Sequence, residues 1–487
     1  MQADVIVIGA GINGLVAATR LAMAGRAVVL LDRREVVGGR AAPYRFHERF
    51  SAPGLLSDTS GMRPALWREL GLDLKRDTPG RRPATWHAGQ VRAVDELRWE
   101  ALQHWSNAVA PVLQNFLDDQ PLDLLHPERM SLPTLLEWGW DLRRLGKATM
   151  RELLRVPPLN ARDWAEEWFD DPRDVAALCA EGLLGSWLSP RSPGGALSLL
   201  FQRAVDAGAV EGGTTALIDS LNLHARRAGV QFKLDAEVVG LDVEFDRVCG
   251  VTLADGEQLR AHRVLSTVAP NRTMLDWLPR GRLPWRTRRR YEAWRTRGTT
   301  AQLLLGLDRA PASLRDQEFA QSALEPDDIE RAFDGVKYGR MPEQPTLLIH
   351  HASLRDPSLV DGEGAVLSVL IHSVPHDLEG GWHDGVAEQL FNAVTAQLDR
   401  CDSSLRERVV ASELLTPTMI EQRYGLPGGQ VHHGEQALDQ MLIRPEPDAF
   451  AYRTPIAGLW LGGGGSHPGG FNCGAPGRLA AARMLTT

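Results

Sequence analysis

Cysteine is scarce, with four in 487 residues. Cys179, Cys249, Cys401 and Cys473 lie far apart and form no C-x-x-C pair. That spacing excludes a redox-active dithiol and a thiolate zinc site, and it suits a reducing compartment. Long apolar runs are also missing: no window reaches about 18 uninterrupted apolar residues, so no membrane-spanning helix is expected. The opening MQADVIVIGAG has no basic region ahead of an apolar core, so no secretory signal is read there and the expected location is cytoplasmic. Neither sign of charge dominates. A formal net charge of −8 with both signs interspersed argues against a nucleic-acid partner. The local exception, Arg286-Thr287-Arg288-Arg289-Arg290, reads as solvated surface, with an anionic partner or a membrane-surface contact as the sharper alternative. No internal repeat, low-complexity tract, H-E-x-x-H, G-x-S-x-G or paired-carboxylate arrangement appears.

What is present is an apolar fraction of 43%, enough for two or three cored domains. Val5-Ile6-Val7-Ile8 is a short β-branched run of the kind found in buried parallel strands. Gly9-Ala10-Gly11-Ile12-Asn13-Gly14 follows it, then a helical stretch to Ala24 with Gly25 as its stop, then a second strand, Ala27–Leu31, ending in Asp32. A lone G-x-G-x-x-G is a weak signal, but inside a βαβ unit of about thirty residues each glycine has a physical reason. Gly9 allows the turn, Gly11 lets backbone approach a pyrophosphate, and Gly14 lets helix and strand pack closely. The helix N-terminus offers unpaired N–H groups to phosphate. Asp32 is placed to bond a ribose diol, and an acid there disfavours a 2′-phosphate. Arg33 follows it, and Gly38-Gly39-Arg40 completes a pattern that resembles FAD enzymes of the glutathione-reductase structural class. In that class the Gly-Gly-Arg loop runs along the cofactor's pyrophosphate, with Arg40 set to neutralise charge. No second G-x-G-x-x-G is present, so no separate NAD(P)H domain is expected.

The C-terminal region repeats the style. Leu459–Leu461 reads as a strand, Gly462 to Gly465 as a loop that approaches something closely, and Cys473–Met484 as a helix with Asn472 as N-cap and Pro476 in its first turn. This helix N-terminus would face the flavin pyrimidine edge, where reduction places negative charge. Between the two ends, 66–155 has helical periodicity rich in Trp, Leu and Arg. Residues 212–270 return to α/β: a helix over Thr214–Ala228, strands near Val230–Lys233, Val248–Leu253 and Val264–Thr267, and a hairpin turn at Asp255-Gly256. Residues 280–440 mix strands and helices, with AVLSVLIHS a clear strand.

Together the blocks 5–42, 212–271 and 428–482 resemble the phytoene desaturase-like flavoproteins, within the wider amine oxidase and glutathione reductase fold group. The resemblance implies an α/β architecture: a three-layer, Rossmann-like FAD-binding domain with a parallel sheet, assembled from 1–70, 200–280 and 445–487. A mixed α+β substrate domain would be inserted as 71–199 and 281–444. It implies FAD as cofactor, with backbone at Val238 meeting the adenine. Gly463 and Gly465 would lie along the ribityl and pyrophosphate, and Gly470, Phe471 and Asn472 at the isoalloxazine. Family members often have Val-Thr where this chain has Asn472-Cys473, which leaves Cys473 as either a covalent flavin link or an inert buried thiol. Such enzymes remove hydride from a C–H bond of a small apolar or amphipathic substrate and pass electrons to oxygen, a quinone or another acceptor. Peripheral contact with a membrane through the Trp-rich helices would suit them. His467 is the residue singled out as a catalytic base, with His432, His433 and Tyr424 also near the expected site. Two other readings stay open: an amine or amino-acid-type oxidase, and a flavin-free lipid escort resembling Rab GDP-dissociation inhibitors. No metal is expected, and the sequence leaves the oligomeric state open.

Overall fold

The four residues Val5 to Ile8 are buried on both faces, and their alternation shows why. In the computed structural model, which describes residues 3–121, 132–470 and 472–487, Val5 and Val7 pack into a core shared with the N-terminal and C-terminal helices. Ile6 and Ile8 point the other way, into a core shared with the antiparallel strands Val238–Glu244 and Arg247–Leu253. A continuous apolar run is what a strand covered on both sides requires.

Five strands form the parallel sheet, in the spatial order Leu459–Leu461, Val264–Ser266, Val5–Ile8, Val28–Leu31, Gln231–Lys233. Every neighbouring pair is parallel. Helices Ile12–Met23, Gly213–Arg227 and Ala475–Leu485 cover one face. A three-stranded antiparallel sheet covers the other, so the three layers are helix, parallel sheet and antiparallel sheet. Gly256, at φ +88°, makes the expected hairpin turn between Arg247–Leu253 and Gln258–Arg260.

The remainder is built on a seven-stranded mixed sheet, with strands in the order Val409–Leu415, Thr300–Leu307, Ala365–His372, Leu347–His351, Phe319–Gln321, Ala84–His87, Gln90–Ala93. A helical layer rich in Trp, including Glu96–Asp118, Pro172–Gly182 and Gly195–Val205, adjoins it. The α/β class is as expected. The helical reading of 66–155 is corrected by the hairpin Ala84–Ala93. Its two-residue turn holds Ala88 at φ +49° and Gly89 at φ +72°, and its other edge joins the mixed sheet by pairing Thr85 with Gln321. That pairing partner lies over two hundred residues away, so local periodicity does not reveal it.

The C-terminal helix also starts later than expected. It spans Ala475–Leu485 and is capped by Gly474 at φ +67°, not by Asn472. The Asn472 side chain instead donates to the carbonyls of Leu56 and Asp58, at 2.9 and 3.2 Å. The arginine run lies in the helix Trp285–Glu292, where Arg288 and Arg289 pair with Glu292 and Arg290 pairs with Glu446. Among the described residues no helix is long and apolar enough to cross a membrane, and no cluster of three metal-ligating side chains occurs.

Candidate functional site

At the C-terminal ends of the parallel strands the chain leaves a cleft, the place where open α/β sheets bind ligands. Gly9 turns out of the first strand at φ +98°, and Gly14 packs beneath it so closely that an added Cβ would stand 1.7 Å from the Gly9 carbonyl oxygen. Gly11, Ile12 and Asn13 bring the N-terminus of the first helix to the cleft. The loop holding Gly38 and Gly39 closes against it: Gly38 N–H donates to the Ala10 carbonyl at 2.8 Å, and a Cβ on Gly39 would lie 2.9 Å from the Gly11 Cα. Asp32 lines the cleft, accepting from the N–H groups of Ala10 (2.7 Å) and Arg34 (2.9 Å). Burial pushes its carboxyl above the ordinary range, and the two N–H bonds act against that shift.

Val238 and Arg33 line the same cleft, and so do Gly474 and Asn472 at the other end of the chain. Two helix N-termini therefore converge on one opening, each presenting partial positive charge. Three buried polar atoms around it have no hydrogen-bond partner: Asn13 Oδ1, Tyr424 Oη and His433 Nδ1. Orphaned polar atoms are rare in folded interiors, and a dinucleotide rich in donors and acceptors answers them. An acid at the second strand's end, glycines where backbone must approach phosphate, and helix N-termini make the residues fit FAD.

Some predicted residues stand elsewhere. The Gly463 and Gly465 positions are filled by packing, since added Cβ atoms would meet the Thr267 carbonyl at 2.2 Å and the Pro270 ring at 2.4 Å; it is Gly464 that lines the cleft. Arg40 lines the cleft but donates to the carbonyls of Val431 and Gly470, tying three distant segments together. Desolvation lowers its guanidinium to about 10. Gly470 lines an adjoining cavity, and Phe471 lies outside the described residues. Cys473 is fully buried and lines neither space, and burial pushes its thiol up, away from the reactive thiolate.

The assignment of His467 as a base is corrected by geometry. Its ring stacks edge-on to Phe116 at 4.7 Å, and its Nε2 bonds the Phe116 carbonyl at 2.8 Å. It lines neither cavity, and burial lowers it to about 4. His467 fastens the glycine loop to the helix Glu96–Asp118. His432 has both ring nitrogens against carbonyls, of Gly470 and Leu184, and is likewise lowered to about 4.

Beyond Asn472, which lines both spaces, a second cavity of about 440 Å³ opens, lined also by Gly470 and His432. Leu56, Leu184, Leu348 and Leu370 make it apolar on one side. It also holds a polar chain that sequence reasoning missed. Ser57 Oγ lies 2.6 Å from His350 Nδ1, and His350 Nε2 lies 3.3 Å from Glu318 Oε1. Arg355 donates to Glu318 through Nε at 2.7 Å and again through Nη2. These partners hold the Glu318 carboxyl down at about 2, against the burial that opposes ionisation. A charged Glu318 accepts from Nε2–H, which leaves Nδ1 as the lone pair that accepts the Ser57 hydroxyl. Phe319 lies flat on the His350 ring, centroids 4.1 Å apart. The available signal was faint: two histidines closing an otherwise apolar strand, Leu347-Leu348-Ile349-His350-His351.

Comparison with known proteins places this geometry. The profile described as flavin containing amine oxidoreductase matches residues 12–401. The pyridine nucleotide-disulfide oxidoreductase domain-containing protein 2 of Rattus norvegicus is 28% identical over 98% of this chain and 92% of its own length. The neurosporene-forming phytoene desaturase of Cereibacter sphaeroides is 25% identical, over 99% of this chain and 93% of its own. The 4,4'-diapolycopene oxygenase of a Methylomonas species is also 25% identical, over 96% and 94%. Among solved structures, an oxidoreductase from Methanosarcina mazei superposes with a TM-score of 0.62 at 14% identity, all of both chains covered. A putrescine oxidase with putrescine bound does so at 0.57 and 16%, again covering all of both chains.

Proposed function

The chain belongs to the flavin containing amine oxidoreductase family and is an FAD-dependent oxidoreductase; from that premise we propose that it takes hydride from a C–H bond of an amphipathic organic substrate lodged beyond Asn472. The observation that carries this reading is the shared wall. Asn472 lines both the dinucleotide cleft and the second cavity, so a substrate there would adjoin a cofactor bound in the cleft. Names among the relatives, phytoene desaturase and diapolycopene oxygenase, support oxidation at carbon.

FAD bound in the cleft supplies the two-electron acceptor. The chain's own residues do the rest. The leucine wall excludes water and orients the substrate carbon, which is where much of the rate arises. Forming a C=C bond also releases a proton from the neighbouring carbon. His350 Nδ1 accepts it through the Ser57 hydroxyl, while the Glu318 carboxylate stabilises the imidazolium. Arg355 continues the chain outward to Asp77 at the exposed rim. An amine-oxidase reading would need an aromatic pair flanking the flavin. Among the described residues Phe319 is the aromatic ring lining the cavity, and it is stacked on His350. Exposed Leu132, Leu136 and Trp140, spaced four residues apart on one helix, support a peripheral contact with a bilayer.

The test is anaerobic mixing of purified holoprotein with two substrate panels, amphipathic C–H donors and primary amines. Loss of the visible flavin absorbance with a C–H donor, with an unsaturated product by mass spectrometry, is the expected result. Bleaching by amines alone, with imine released, would overturn it.

A further inference from the structure

Part of the second cavity's lining is charged, which an uncharged substrate would not need. Arg81 and Arg203 both line it. Arg81 pairs with Asp58 at 3.3 Å, and both guanidiniums reach towards Glu181 without hydrogen-bonding it, at 3.7 and 3.9 Å. Arg203 comes from the last turn of Gly195–Val205 and stacks on Trp99, its carbon 4.7 Å from the ring centre. Its side chain is 9% exposed. Arg81 lies over the outer face of Phe319 at 3.8 Å.

Carboxylates outnumber guanidiniums around this space, yet most are already engaged. Asp58 accepts the Ser60 N–H as well as Arg81. Both Asp206 oxygens accept backbone N–H groups, from Gly80 and Gly208. Glu318 is held by Arg355 and His350. Asp77 and Asp316 are exposed at the rim, Asp77 pairing with Arg355. Two charged donors, in contrast, have no acceptor: Arg203 Nη1 and Arg81 Nε, both buried. A buried ionic N–H without a partner is costly, and both guanidiniums line the cavity, where an anion can accept charge-assisted hydrogen bonds from them.

We propose that this charged lining binds the anionic head group of an amphipathic substrate, a carboxylate held by Arg203 with Arg81 beside it, while the cavity's leucines hold its chain. The inference rests on the reading of this cavity as the substrate cavity, and it narrows the substrate from amphipathic compounds in general to acids.

Calorimetric binding to the FAD-loaded protein tests it with three probes of one chain length: decanoate, decanol and decylamine. Decanoate should bind about tenfold more tightly than decanol. Arg203→Met should abolish that preference while decanol binding and FAD content stay as in the parent, and Arg203→Lys should restore part of it. FAD content and melting temperature show whether each variant is folded. Equal affinity for decanoate and decanol overturns the anion site and leaves the cavity assignment standing. Preference for decylamine overturns it in favour of recognition by Glu181. Failure of all three probes in protein that retains FAD overturns the anion site and the cavity assignment together.

Discussion

Gly477 in the last helix rests directly on Asn13 in the first: a Cβ at 477 would stand 2.0 Å from the Asn13 carbonyl oxygen. The two helices whose N-termini face the cleft are thus held at close spacing where this glycine joins opposite ends of the chain. Gly477→Ala must push them apart. Overpacking of this kind costs about 1–3 kcal/mol, so we expect a lower melting temperature and reduced FAD content on purification. Unchanged flavin stoichiometry would show that the helix spacing is not what shapes the cleft.

Asp32 combines two tasks, holding the Ala10 and Arg34 amides and presenting a carboxylate to the cleft. Asp32→Asn keeps the size and removes the charge. Hydrogen bonds to charged groups contribute about 1.5–3 kcal/mol, so FAD should dissociate more readily by one to two orders of magnitude. Fluorescence of released flavin on dilution measures this.

His350→Gln removes the proton acceptor without emptying its place between Ser57 and Glu318. Loss of general base catalysis typically costs about 10²–10⁴-fold. That loss should appear in kcat while KM stays close to the parent value, and Ser57→Ala should give a smaller deficit of the same kind. A rise in KM with kcat unchanged would assign His350 to packing.

His467, held neutral in the interior, makes stability depend on pH. Its ordinary value of 6.5 falls to about 4 in the folded chain, so between those values the unfolded state binds more protons. Its contribution is complete above 6.5 and declines as pH falls towards 4. His432 (about 4) and His433 (about 3) act in the same direction. Each adds a slope of up to about 1.4 kcal/mol per pH unit. Denaturant melts at pH 7, 6 and 5 should show falling stability, less steeply in His467→Gln, whose kcat at pH 7 should stay in the parent's order of magnitude. A kcat collapse in that variant would return His467 to the chemistry.

Much of the cleft was legible because its physics is local. A buried strand must be apolar on both faces, a pyrophosphate needs glycines at fixed spacing after it, and an acid closes the second strand. All of these lie within forty residues, so Gly9, Gly11 and Asp32 could be read from spacing, and Gly38 and Gly39 from the resemblance they complete; all five line the cleft. His467 looked catalytic because it sits beside the glycine loop in sequence. Its ring turns the other way, to the carbonyl of Phe116, a partner 351 residues distant.

By itself, then, the sequence determined the βαβ unit and the parallel strands at both ends of the chain, because strand burial and close backbone approach are dictated by nearest neighbours. Only the tertiary structure decided what faces the substrate. Ser57, His350 and Glu318 come from three separated segments, and so do Arg81, Glu181 and Arg203. Each is an unremarkable polar residue in its own stretch of chain. A low-dielectric cavity gives their charges and hydrogen bonds chemical force, and it forms only when the mixed sheet and the helical layer close around it.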